Sequence, residues 1–171
     1  MGRADVDVRG LQRKCDQLLL TLDLRPPFDV NEFCRKIGER LGRQVELVPQ
    51  RLPAEIPGRC IWFADRLVIA YEEDTSLFHQ LSIIFHELGH VLLQHDFSQT
   101  LQAIPLRVSL DAEGIRHSLA RSGYESVPEQ EAEFFASLLL QRVAPNPIRA
   151  TRYRSQDPRA AQIQDFMSGL P

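Results

Sequence analysis

Two histidines and a glutamate give the first chemical signal in this sequence. The stretch IIFHELGHVLLQH, Ile83 to His95, sets His86 and His90 four residues apart, with Glu87 directly after the first. On a helix turning ~100° per residue, His86 and His90 fall within about 40° of each other, one turn apart on one face. That spacing lets two imidazole nitrogens reach one ion at ~2.0–2.1 Å, the bond length zinc takes with histidine. Glu87 is rotated off that face, so its carboxylate stands beside the ion and can take a proton from a water held there. The pattern is HExxH, whose mechanical meaning in zinc peptidases is a metal-binding pair with a general base. HExxH fixes only three residues and also occurs on solvated helices. Here the flanks SIIF and VLLQ are apolar, and a histidine pair among them is poorly explained as wet surface. Gly89, within the same helix, costs ~1 kcal/mol against alanine and points to a close backbone approach.

A catalytic zinc keeps three protein ligands and leaves one position for water, so a third ligand is expected downstream. In SVPEQEAEFFASLLL, Ser126 to Leu140, Glu129 and Glu133 share a helix face with Ala132, Ala136, Leu139, Leu140 and Val143. Glu131 points about 200° from Glu129, toward Gln141 and Arg142. Two carboxylates on an apolar stripe need partners. A zinc ion for Glu129 and a histidine ring N–H for Glu133 satisfy both, the second contact orienting a ligating imidazole. The local alternative is a capping box in which Glu129 bonds only the backbone N–H of Ser126. His79, two turns before His86, either lines the cleft or is structural. His95 falls off the histidine face and reads as a cap of the helix end. His117 and Tyr124 either hydrogen-bond a developing oxyanion or are loop residues.

The elements that must position these groups follow from periodicity. Val8, Leu11, Cys15, Leu18, Leu19 and Leu22 predict a helix over about 7–22, broken by LRPPFD. A second helix runs from about Val30 to Leu41, with Asp29 as N-cap, Glu32 completing a capping-box pattern and Gly42 as the stop. QVELVP, RCIWFA and RLVIAYE read as the strands of a small antiparallel sheet, the last two joined by a short turn at 64–66. One edge of it, the RCIWFA strand, is expected to hold an extended substrate by strand addition. Asp74 or Thr75 caps the long HExxH helix, which reaches about His95. It is expected to bury one face, with Leu81, Ile84 and Leu88, and to turn the histidines elsewhere. A short helix is expected within 110–123, and a last helix over about 127–143, ended by APNP. The polar segment 146–171 reads as a tail, helical or disordered, attached to one domain over 1–145.

Composition narrows the class. The 171 residues, 43% hydrophobic and 25% charged, suit one domain with a core that needs no disulfides. A formal charge of −3 gives no field that would make nucleic acid or an anionic membrane the main partner. Cys15, Cys34 and Cys60 are odd in number and far apart, so they read as free thiols. The N-terminal residues are polar without an apolar run, and the longest apolar segment is broken by His79, His86, Glu87 and His90. The expectation is therefore a cytoplasmic protein with no signal and no membrane span.

FHELGHVLLQH, followed by EQEAEFFASLLL and then proline, resembles the ImmA/IrrE metallo-endopeptidases, typically written HExxH…ExEA(N/D)xFAxxLLxP. The likeness covers about residues 28–145. It implies an α+β, zincin-like single domain: N-terminal helices, a small antiparallel sheet, the HExxH helix and a glutamate-bearing C-terminal helix. It also implies zinc bound by His86, His90 and Glu129, with Glu87 as catalytic base. Glu133 stands where the family has Asn or Asp, one methylene longer, and its expected contact is to His86. The linker from His90 to Glu129 is longer than in the family, and LLLQRVAP departs from its LLMP ending. Family members typically cleave helix-turn-helix repressors in stress-response, mobile-element or toxin–antitoxin settings. The implied partner is thus a repressor protein, with no direct nucleic acid and no membrane. The alternative function is a non-hydrolytic, zinc-containing interaction protein, an anti-repressor or toxin component that binds its regulator.

Overall fold

In a computed structural model of the protein, the structure describes residues 6–23, 27–52, 54, 57–95 and 127–143, and the backbone of 117–118 and 148–149. The elements in chain order are α1 (Val8–Leu22), β1 (Phe28–Asp29), α2 (Val30–Leu41), β2 (Gln44–Gln50), β3 (Gly58–Trp62), β4 (Arg66–Glu72), α3 (Leu77–Leu92), β5 (His117–Ser118), α4 (Val127–Val143) and β6 (Ile148–Arg149). Helices and strands are mixed, in keeping with an α+β chain.

Local signals set most helix ends. The Asp29 carboxylate accepts from the backbone N–H of Asn31 at 2.8 Å and of Glu32 at 3.1 Å, and Gly42 closes α2 in the left-handed conformation at φ 66°. Glu32 does not complete the reciprocal box. Its carboxylate pairs with Arg35 at 2.7 Å, one turn along the exposed face. The cap of α3 is Ser76, whose hydroxyl accepts from the His79 N–H, so the helix starts one to two residues later than Asp74 or Thr75 would set it. Gln80 ties that entry down by donating to the Glu73 and Thr75 carbonyls.

The sheet is mixed, which corrects the expectation of an antiparallel one. Its order is β2-β4-β3-β5; β4 runs parallel to β2 and antiparallel to β3. Gln50 lies opposite Glu72 and Gly58 opposite Tyr71, so β2 ends and β3 begins at the same end of the sheet. The returning β4 slots into the space between them. Consecutive strands therefore do not all pair. β4 is central and buried from Arg66 through Tyr71, which is why RLVIAYE is a continuous apolar run and not an alternating one.

The expected helix within 110–123 is interrupted, because His117 and Ser118 form strand β5 against Trp62 and Ile61; the rest of that segment lies outside the described residues. Within the tail 146–171, Ile148 and Arg149 pair in parallel with Phe28 and Asp29.

One core unites the helices with one face of the sheet. Phe28, Phe33 and Phe85 meet with ring centroids 5.6–5.9 Å apart, joined by Ile37, Leu47, Ile69, Leu81, Leu88 and Leu139. Phe85 is fully buried and directly precedes His86. Its packing fixes the rotation of α3 and with it the direction of the histidines. Cys15, Cys34 and Cys60 carry free, buried thiols. Among the described residues no helix is long and apolar enough to cross a membrane.

Candidate metal centre

The centre of α3 is buried on every side, from Ile83 through Val91 without interruption. This corrects the expectation of one buried face. α3 packs on β3 and β4 with one side and on α4 with the other, so the histidine face is covered by a second helix. A helix enclosed all round must satisfy its polar side chains within the protein.

Gly89 makes the close approach possible. A Cβ at that position would lie 3.2 Å from both Cα and the carbonyl oxygen of Ala132. With no side chain at 89 and a methyl at 132, the two backbones nearly touch. Glu129, one turn before Ala132, is thereby brought onto the histidines.

The three expected ligands converge. Nε2 of His86 and Nε2 of His90 are 3.0 Å apart, and each is 3.3 Å from one oxygen of the Glu129 carboxylate. Among the described residues, His86, His90 and Glu129 form the group that could hold a metal ion. Tetrahedral coordination at ~2.0–2.1 Å places donor atoms roughly 3.3 Å from one another, close to the spacing seen here. Burial pushes the Glu129 carboxyl up, but contacts with His86 and His90 outweigh it and hold the group well below the usual carboxylate range. Its alternative partner, Ser126, lies outside the described residues; the Glu129 carboxylate is turned to the imidazoles.

Glu87 is 2% exposed and stands outside the ligand group. It faces the start of β3: a Cβ at Gly58 would lie 3.0 Å from Glu87 Oε1 and 2.4 Å from Ile83 Cγ2. Gly58 thus lets the strand lie directly on the carboxylate, a role the sequence did not reveal. Arg59, also buried, feels the same charge: burial lowers its pKa and Glu87 opposes the shift.

Glu133 does touch His86, with Oε2 3.3 Å from Nδ1. Its place differs from expectation, since the side chain is 68% exposed and reaches the ring from the rim of α4, not from a buried stripe. The apolar stripe is formed by Ala132, Phe135, Ala136, Leu139 and Val143.

Two residues lie where helical periodicity does not place them. His95 does not simply cap the helix: its Nδ1 lies 3.0 Å from Nδ1 of His90, and its Nε2 lies 3.0 Å from Glu131 Oε2. Glu131 accordingly faces inward at 28% side-chain exposure. Burial lowers the pKa of His95, with Glu131 opposing. The local cause is the end of α3. Gln94 takes a left-handed φ of 57°, its N–H bonds the Val91 carbonyl, and the His95 N–H bonds the His90 carbonyl. That is a Schellman turn, and it folds His95 back over His90. Glycine usually fills the left-handed position, so the sequence hid the turn behind a glutamine.

Beside the group lies a cleft of about 660 Å³, lined by Pro57, His79, Ile83, His86, Glu129 and Phe134 among others. His79 therefore lines the cleft. The side chain of His117, and all of Tyr124, lie outside the described residues. The outer edge of β3 is paired with β5 at Ile61 and Trp62, so among the described residues only its beginning is left for another strand.

No protein-family model, curated protein or solved structure matches the chain.

Proposed function

We propose that the protein is a zinc-dependent endopeptidase with a zincin-like fold, of the ImmA/IrrE type, acting on a helix-turn-helix repressor. The observation that carries the reading is the convergence of two Nε2 atoms and one carboxylate, with a second buried carboxylate, Glu87, outside that group. A site that only holds metal has no use for Glu87. Zinc is favoured because the donor set, two imidazoles and one carboxylate with room for a water, is that of catalytic zinc sites. Zinc, when bound, polarises a scissile carbonyl and lowers the pKa of a water to ~7.

The remaining chemistry belongs to the chain. His86, His90 and Glu129 hold the ion through Nε2, Nε2 and a carboxylate oxygen. Glu87 takes a proton from the attacking water and delivers it to the amide nitrogen as the C–N bond breaks, leaving an acid and an amine. The cleft beside Ile83 and Phe134 has a volume within the range that binds ligands, here a peptide segment. The start of β3 at Gly58, next to Glu87, offers backbone groups to an extended chain.

The test is Glu87→Gln, which keeps the side-chain shape and removes the base. Purified parent and variant are incubated with a purified helix-turn-helix repressor, with and without chelator. The parent should cleave only without chelator, and the variant should bind zinc but not cleave. Equal cleavage by both would contradict the mechanism. Binding without cleavage by either would favour the zinc-containing interaction protein.

A further inference from the structure

We propose that His95 and Glu131 are positioning residues that lock the His90 ring for metal binding through a two-step chain of hydrogen bonds. The proposal rests on the reading that His90 binds metal through Nε2.

Proton counting gives the chain its direction. A metal-binding Nε2 must present a bare lone pair, so the one proton of a neutral His90 sits on Nδ1. That nitrogen is 3.0 Å from Nδ1 of His95. Two nitrogens at this distance share one proton, so Nδ1 of His95 accepts and its own proton sits on Nε2. That atom is 3.0 Å from Glu131 Oε2, an acceptor. With both rings neutral, one arrangement of protons satisfies both contacts of this chain.

Its location agrees with a supporting role. His95 meets the ring nitrogen that the ion does not use, so it is not a further ligand to the same ion. Its side chain is 8% exposed, leaving little room for water to replace it. The non-glycine left-handed turn at Gln94 aims it there. Glu131 comes from α4, the helix that also supplies Glu129. One helix thus delivers a ligand to the ion and, two residues later, the anchor of the chain behind His90. His86 is supported by a different residue, Glu133, so the chain serves His90 alone.

The test uses the full chain. In the zinc-loaded protein, where Nε2 is bound and Nδ1 carries the proton, the His90 Nδ1–H should give a downfield proton NMR signal that exchanges slowly with water in the parent and at least about 10-fold faster in His95→Phe. His95→Gln, which restores an acceptor oxygen, should slow the exchange again. In chelator competition, His95→Phe should weaken zinc binding about 10–100-fold. Glu131→Ala, which keeps the imidazole and guards against a misfolded His95→Phe, should weaken it less. The double variant should bind no worse than His95→Phe alone, because Glu131 acts only through His95. If the parent takes up no zinc, the metal reading fails and the proposal with it. If the parent binds zinc and His95→Phe binds it equally with unchanged exchange of the His90 Nδ1–H, the support chain alone is wrong. A His90 Nδ1–H that exchanges in the zinc-loaded parent as fast as an exposed imidazole N–H would overturn it too.

Discussion

The two histidines of the candidate metal group are held in contrasting ways. His86 meets one carboxylate, Glu133, whose side chain is 68% exposed. His90 meets a buried imidazole, His95, which is 8% exposed and backed by Glu131 at 28%. Water can replace Glu133 at the His86 N–H, and exposed charged contacts are worth little. At His90 no such replacement is at hand, and an unmet buried donor costs ~1–3 kcal/mol. The difference teaches where the metal group draws its rigidity: from the end of α3 and the body of α4. The His86 side opens on the cleft, where, on the peptidase reading, substrate arrives.

The comparison can be broken from both sides at once. His86→Ala and His90→Ala each remove a proposed ligand, and zinc content should fall to background in both. Next in size is Gly89→Leu. A Cβ there already sits 3.2 Å from the Ala132 backbone, so leucine must push α4 away and move Glu129 and Glu131 together. Overpacking of this kind typically costs ~1–3 kcal/mol, so the melting temperature should drop along with zinc affinity. Retained affinity would show that the helix contact does not set the site.

The comparison itself is sharpened by a pair of variants. His95→Phe should weaken zinc binding about 10–100-fold and Glu133→Leu by less than about 10-fold. Chelator competition on both decides the order, and a larger loss from Glu133→Leu would reverse the account of exposure. The smallest effect expected is that of Gln94→Gly. Releasing a non-glycine residue from the left-handed region relieves ~1–2 kcal/mol of strain, partly offset by glycine's greater freedom in the unfolded chain. Stability should rise by no more than about 1 kcal/mol, with zinc affinity unchanged. A clear loss of affinity would mean that the glutamine side chain takes part.

Much of the scaffold was legible because its signals are local. Asp29 and Gly42 bound α2, and α4 ends at Val143, where the sequence expectation puts it. His86, His90 and Glu129 were legible because helical spacing and an apolar context constrain few alternatives. The strand order was not, since β4 enters between β2 and β3 and nothing local encodes which gap a strand fills. The His90–His95–Glu131 chain was hidden for two reasons. A helical wheel continued past Leu92 puts His95 on the wrong side once the chain turns left-handed at Gln94. A wheel also ranks Glu131 against its own helix only, whereas two helices in contact at Gly89 and Ala132 bring α3 and its end within reach of more than one side of α4. Glu133 shows the converse: placed by the wheel on the buried stripe, it sits on the rim and still reaches His86.

The central claim is that Glu129 from α4 completes a zinc group begun by the two histidines of α3, while Glu87 stays outside it. Elemental analysis of zinc in purified parent, Glu87→Gln and Glu129→Ala tests it most directly. The account predicts about one zinc per chain in the parent and in Glu87→Gln, and a loss of most of it in Glu129→Ala. Zinc held by Glu129→Ala as tightly as by the parent would contradict it.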